Sequence, residues 1–188
     1  MKSFIKSAVM ITAMSFGSAY GAKKIDCNKH KVYCAIKKLN KSMNSKKAFK
    51  YSNAIYKHSK RYGVDPLRLV AIAQQESSFR NVVLKKNRKV CSYPKRCTGT
   101  DIIEATDVGF YQFHIKTIQR RNLDVYKVLN DFDYATRHAA WILNGKMNMC
   151  KKKYPKTSWA CYHSATPKHH YKYVKTINKY YNQIKGDK

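Results

Sequence analysis

The chain has 188 residues, a length typical of a single domain, and 44% of them are hydrophobic and 13% aromatic, which excludes wholesale disorder. Its 39 lysines and arginines against 10 acidic residues give a net charge of +29. Such a charge indicates an anionic partner, such as nucleic acid, an acidic surface or an anionic polymer. With only seven glycines and four prolines, the composition disfavours a turn-dense all-β architecture and predicts a mainly helical fold.

Residues 1–22 have the three-part pattern of a secretory signal peptide. Lys2 and Lys6 provide a positive start, the apolar run 7–16 follows, and small residues lead to Ala22. The run is too short to span a bilayer comfortably, so we expect a periplasmic or secreted protein with no transmembrane helix in the mature chain. Cleavage removes two lysines and no acid, which lowers the charge from +29 to +27. Because an exported protein rarely meets nucleic acid, a cell-wall or membrane surface becomes the expected anion.

The cysteines agree with export. An even number of six follows the signal segment, which predicts three disulfides in an oxidising compartment. Sequence alone leaves the connectivity open, but the clustering favours three local pairs: Cys27 with Cys34, Cys91 with Cys97, and Cys150 with Cys161. No pair has the C-x-x-C spacing of a zinc ribbon, so we expect no zinc site at the cysteines.

In chain order, residues 23–46 form a basic N-terminal segment with a short helical patch around 32–39, and residues 47–188 form the domain. Apolar residues at helical spacing predict a helix over 47–62, which Gly63 ends as a C-cap. Asp65 and Pro66 then begin a second helix, which extends to about residue 78.

Residues 81–107 are predicted to be a basic, irregular excursion, with its KKNRK run as a solvated loop and no convincing strand pair in the chain. Four more helices are predicted at about 116–121, 132–152, 158–163 and 168–184. The resulting expectation is a mainly α single domain stabilised by disulfides.

One carboxylate, that of Glu76, lies in a position that suits acid catalysis. Leu69, Ile72, Ala73 and Glu76 follow the spacing i, i+3, i+4, i+7, so Glu76 ends an apolar stripe of the second helix. A carboxylate on such a stripe is either paired or has a raised pKa, and a neutral acid near pH 6–7 is what protonation of a glycosidic oxygen requires. Periodicity alone leaves open a structural glutamate that an arginine or a tyrosine satisfies.

The stretch 61–80, RYGVDPLRLVAIAQQESSFR, resembles the catalytic-helix motif of the soluble lytic transglycosylases. In that family the glutamate is the catalytic acid, so the resemblance assigns this role to Glu76 and a helper role at the substrate to Ser77. Further on, the segment 109–113, GFYQF, is similar to the family's GLMQI segment, which lines the glycan cleft. This similarity implies substrate contacts at Gly109, Tyr111, Gln112 and Phe113.

Two further segments complete the resemblance. Residues 160–164, ACYHS, are similar to the family's A.YN.G segment, which implies substrate-binding roles for Tyr162 and His163. Tyr171 with Val174 matches the closing Y..V pattern. The chain departs from the common pattern at His163, where asparagine is usual, and at Ala165, where glycine is usual.

The resemblance implies a lysozyme-like domain that cleaves the MurNAc–GlcNAc bond of peptidoglycan without a cofactor. One glutamate then acts as acid and afterwards as base, and the product carries 1,6-anhydro-muramyl ends. The YHS form is similar to that of small transglycosylases that accompany secretion and conjugation machines, which makes such an apparatus an expected partner. Two alternatives remain: a goose-type-like lysozyme, with Asp107 as the candidate second carboxylate, and a non-catalytic binding module.

Other conspicuous residues are expected to be structural. His114 is predicted to be a surface or capping histidine. Adjacent histidines on a helix point in different directions, so His169 and His170 do not predict a metal site. Tyr173 is assigned to a packing stripe of the last helix together with residues 174, 177, 180 and 181.

Overall fold

A computed structural model describes residues 25–86, 88–92 and 97–186. The signal peptide predicted over residues 1–22 lies outside this part of the chain. Within it, the fold is mainly helical, and no helix there is long and apolar enough to cross a membrane.

The helices in chain order are α1 Lys31–Leu39, α2 Ser45–Tyr62, α3 Pro66–Ser77, α4 Gly99–Ile103, α5 Ile115–Arg120, α6 Val125–Asn130, α7 Phe132–Cys150 and α8 Pro167–Lys185, with a 3₁₀ helix, Ser158–Tyr162, before α8. Every helix predicted from the sequence is present, with ends shifted by one or two residues. The short helices α4 and α6 were not predicted.

The start of α3 depends on local chemistry. Oδ1 of Asp65 accepts a hydrogen bond from the backbone N–H of Leu67 at 2.9 Å, and Pro66 occupies the first turn, where its missing N–H costs nothing. Gly63 ends the preceding helix with φ +62°, a left-handed conformation that glycine adopts without strain. The sequence signals for this junction are confirmed.

A small antiparallel sheet lies between α3 and α5, so the prediction of no strand pair was wrong. Its strands are β1 Val82–Lys85, β2 Arg88–Ser92, β3 Asp107–Val108 and β4 Phe113–His114, in the order β2-β1-β3-β4. β1 and β2 form a hairpin around the run that was expected to be a solvated loop. Val83 is wholly buried and pairs with Val108 of β3, so packing and pairing with a distant strand stabilise a strand too short to show a period.

One hydrophobic core joins the helices and the sheet. The central turns of α3 are fully buried, and Ile36 of α1 belongs to the same core, within the segment predicted as basic and N-terminal. The division at residue 46 stays a prediction. The three local disulfides, Cys27–Cys34, Cys91–Cys97 and Cys150–Cys161, are those favoured by the clustering of the cysteines.

Candidate active site

A cavity of about 580 Å³ opens beside the C-terminal end of α3. Parts of the sheet, α5, α7 and the 3₁₀ helix complete its walls. Five residues predicted to act at the site line it together: Glu76, Gln112, Phe113, Tyr162 and His163. Segments far apart in the sequence thus converge on one cavity.

Glu76 lies in the last turn of α3 and is partly buried. The hydroxyl of Tyr173 donates a hydrogen bond to Oε1 of Glu76 at 2.5 Å. Burial raises the pKa of Glu76 to about 7; the hydrogen bond from Tyr173 opposes this rise, and the negative charge of Asp107 adds to it. A substantial fraction of the carboxyl is therefore neutral at neutral pH, as a general acid requires.

Asp107 begins β3 and lines the same cavity. Other acidic residues near the motifs have structural partners elsewhere. Asp65 caps α3, Asp101 forms a capping box with Thr98 at the start of α4, and Glu104 pairs with Lys85. Of these four carboxylates, Asp107 alone lines the cavity with Glu76.

Ser77 joins α3 to the 109–113 segment. Its buried hydroxyl donates to the carbonyl of Phe110 at 2.7 Å and accepts from the backbone N–H of Arg80 at 3.1 Å. These bonds fix the cavity wall relative to Glu76. The substrate contact expected of Ser77 stays a prediction.

The turn between β3 and β4 needs the backbone of Gly109 and Gln112. Gly109 has φ +83°, and a Cβ built on it would lie 2.6 Å from the carbonyl oxygen of Val128. Gln112 has φ +47°, and its Nε2 donates to the carbonyls of Val82 at 3.0 Å and Gly109 at 2.6 Å. The side-chain amide of Gln112 therefore stabilises the turn, and the same side chain lines the cavity.

Besides Ser77, two further predicted site residues have side chains that do not line the cavity. Tyr111 is wholly buried, with its hydroxyl 3.2 Å from Oγ1 of Thr136, and only its carbonyl faces a site residue, because it accepts from the hydroxyl of Tyr162 at 3.0 Å. Tyr171 is 60% exposed and packs edge-on against Tyr154, so α8 does not bring it to the other residues.

Tyr173 is the site residue that the sequence analysis missed. Besides its bond to Glu76, its ring stacks on His163, with ring centroids 4.8 Å apart and an interplanar angle of 11°. Burial, followed by the charge of His169, lowers the pKa of His163. The helical period of α8 could have identified Tyr173 as an inward-facing residue. His170, Tyr173 and Ile177 form the buried face of the helix, whereas Tyr171 lies off that face.

Two other histidines make structural contacts, although His114 also lines the cavity. Nδ1 of His114 accepts the backbone N–H of Lys116 at 3.2 Å and caps α5. His170 is buried and stacks on Tyr154 at 3.7 Å. Within the described residues, no group of three or more His, Cys, Asp or Glu side chains is arranged to hold a metal ion.

A family model for the transglycosylase SLT domain matches residues 53–184, a range that contains Glu76, the cavity walls and Tyr173. The chain belongs to this family. No curated protein matches the chain, and no solved structure does either. Membership in the SLT family makes the fold lysozyme-like and indicates peptidoglycan as the substrate, outside the cytoplasm. The three disulfides fit an oxidising compartment.

Proposed function

We propose that this SLT-domain protein is a peptidoglycan lytic transglycosylase that cleaves the MurNAc–GlcNAc bond with Glu76 as its single acid and base. The observation that carries the proposal is the state of Glu76, a carboxyl with a pKa of about 7 at a cavity, oriented by Tyr173. Such a group holds a proton at neutral pH and accepts one back without a large change in free energy.

The hydrogen bond from Tyr173 occupies Oε1, which leaves Oε2 to carry the exchangeable proton. In the first step this proton moves to the glycosidic oxygen while the bond from that oxygen to the muramyl C1 breaks, and the electron pair leaves with the oxygen. In the second step the C6 hydroxyl of the same muramyl residue attacks C1. Glu76 takes the proton of that hydroxyl, a 1,6-anhydro ring closes, and no water is consumed.

A second candidate function is hydrolysis of the same bond, as in a goose-type-like lysozyme. Asp107 favours hydrolysis, because this carboxylate lines the cavity and its negative charge contributes to the raised pKa of Glu76. In that reaction Asp107 would activate a water molecule, and the released muramyl ends would be reducing. The two candidates therefore differ in the mass of their products by one water molecule.

The test is digestion of purified sacculi by the wild type, Glu76→Gln and Asp107→Asn, followed by mass spectrometry of the released ends. We expect anhydro-muramyl ends from the wild type and a loss of about 10²–10⁴-fold for Glu76→Gln, the size of a general acid–base contribution. Asp107→Asn should still release anhydro ends. Reducing ends as the main wild-type product would favour the lysozyme, and blank digests with both the wild type and Glu76→Gln would favour a non-catalytic binding module.

Two expectations about context accompany this proposal. The excess of cations over acids in the chain suits docking on an anionic wall in the periplasm or outside the cell. A secretion or conjugation apparatus as partner stays a proposal, supported by the YHS form of residues 162–164.

A further inference from the structure

Three cationic side chains line one part of the cavity that contains Glu76, and the reaction proposed above does not use them. They are Arg120, Arg121 and Lys146, which we call the basic wall. The sugar rings of the glycan are uncharged, so their binding does not require cationic side chains. The basic wall therefore indicates an anionic group on the substrate besides the scissile bond.

The basic wall has a regular construction. Thr117, Arg120 and Arg121 line the cavity at positions i, i+3 and i+4 of α5 and its C-cap, so they share one face. Ile142 and Lys146 line it at positions i and i+4 of α7. Two helices thus direct their cations into the same cavity.

Arg121 is held in place before any ligand binds. Its guanidinium carbon lies 4.1 Å from the ring centroid of Trp141, a cation–π contact that fixes the plane of the group. Its Nε is buried and has no hydrogen-bond partner within the described part of the chain. A planar guanidinium held on one face presents its remaining N–H groups at the edge, where a carboxylate can accept two of them.

Within the described part of the chain, the basic wall lacks ion-pair partners. Asp107 and Glu76 are the acidic residues of the cavity, and the raised pKa of Glu76 leaves much of it neutral. The cavity therefore carries an excess of positive charge, which favours an anionic ligand.

We propose that the basic wall binds carboxylates of the stem peptide attached to the muramyl residue beside the scissile bond. In peptidoglycan, the muramyl lactyl group carries this short peptide, whose carboxylates are the anions nearest to the glycosidic bond. The enzyme then prefers peptide-bearing glycan over denuded glycan. This inference rests on the proposed function, since it concerns the substrate of the same cavity.

The experiment compares soluble glycan strands with intact stem peptides and the same strands after an amidase has removed the peptides. The enzymes are the wild type, Arg120→Gln/Lys146→Gln, and a control of equal charge change, Lys60→Gln/Lys179→Gln. Lys60 and Lys179 are exposed on α2 and α8 and do not line the cavity. The measured quantity is the ratio of kcat/KM for peptide-bearing over denuded strands.

We expect the basic-wall variant to lower this ratio about tenfold, mostly through KM, as the loss of two partly exposed ion pairs predicts. The control variant should keep the wild-type ratio, and added salt should reduce the ratio of the wild type. An equal ratio for the basic-wall variant and the wild type would overturn the inference. So would an equal decrease in the control variant, which would indicate a general effect of charge.

Binding separates this inference from the proposed function. In the Glu76→Gln background, anisotropy of labelled strands reports affinity without turnover. If the wild type is inactive on both strands, the proposed function fails, and the binding ratio still decides the inference. Equal affinity of the Glu76→Gln protein for peptide-bearing and denuded strands would refute it.

Discussion

The hydroxyl of Tyr173 donates a hydrogen bond to Oε1 of Glu76 at 2.5 Å, across 97 residues of sequence. α8 brings the tyrosine to the end of α3, where burial acts to keep Glu76 neutral and the hydrogen bond acts to ionise it. The balance places the pKa of Glu76 at about 7. Tyr173 therefore acts on both the orientation and the proton affinity of the proposed acid, although none of the motif matches assigned it a role.

Replacing Tyr173 with phenylalanine should change both properties. In the wild type the hydrogen bond from Tyr173 lowers the pKa of Glu76, so its loss should raise that pKa. The variant should then hold the proton to higher pH, and the alkaline limb of kcat/KM should move upward from about pH 7. The rate at the optimum should fall about tenfold or more, since the carboxyl is no longer held in position. A pH–rate profile on soluble glycan measures both effects.

Tyr180→Phe is the matched control, because it removes a hydroxyl from the same helix without touching Glu76. It should retain the wild-type profile. Tyr162→Phe should also keep the position of the limb, since the hydroxyl of Tyr162 donates to the carbonyl of Tyr111. A limb that stays in place in Tyr173→Phe would show that the bond does not control the proton.

The raised pKa of Glu76 also predicts how stability depends on pH. The folded protein holds this proton up to about pH 7, whereas the unfolded chain loses it near the ordinary value of 4.5. The contribution of Glu76 to stability is thus fully present below pH 4.5 and is lost as the pH rises to about 7, a change of about 3 kcal/mol. Glu76→Gln cannot ionise and lacks this loss.

Denaturant unfolding of both proteins at pH 4.5 and 8 tests the linkage. As the pH rises, the free energy of unfolding of Glu76→Gln should increase relative to that of the wild type. Taking the difference between the two proteins at each pH cancels the titration of other groups. Glu104→Gln is the control, because this exposed carboxylate pairs with Lys85 at the surface. A pH-independent difference for Glu76→Gln would mean that the pKa of Glu76 is not raised in the folded protein.

Local signals explain what could be predicted of the fold and the site. The α2–α3 junction depends on Gly63, Asp65 and Pro66, whose effects act within a few residues, and the apolar period of α3 gave the position of Glu76. The strands β3 and β4 contain two residues each, too few for any period to show, and they pair only because distant segments meet.

Long-range contacts explain the residues that were missed. The match to the Y..V pattern predicted Tyr171 at the site. The pitch of α8 instead turns Tyr173 towards Glu76 and leaves Tyr171 exposed. Tyr111 follows the cleft motif in sequence, yet its side chain packs in the core. A motif gives the position of a segment, whereas the packing of that segment decides which side chain faces the cavity.

Gly109→Ala should destabilise the protein by about 2–4 kcal/mol, because the new Cβ meets positive φ and a backbone carbonyl together. Gly63→Ala, at positive φ but with open space, should cost only about 1 kcal/mol. Gly145→Ala, inside α7 with open space, should stabilise the protein by about 0.5–1 kcal/mol. Denaturant unfolding of the three variants checks this order, and equal effects at Gly109 and Gly63 would contradict the close contact with Val128.

The disulfide Cys150–Cys161 should matter more for activity than Cys27–Cys34. It joins the end of α7 to the 3₁₀ helix, and Cys161 directly precedes Tyr162 and His163, which line the cavity.

Replacing both cysteines of the Cys150–Cys161 pair with alanine should lower the free energy of unfolding by roughly 2–4 kcal/mol. It should also lower kcat/KM at a temperature where the variant is still folded. Alanine at Cys27 and Cys34, neither of which lines the cavity, should reduce stability with little change in kcat/KM. Unfolding and turnover measured side by side separate the two effects, and thiol titration of the denatured, unreduced wild type should find no free thiols. Equal losses of kcat/KM in both double variants would show that the Cys150–Cys161 bridge stabilises the fold without positioning the cavity wall.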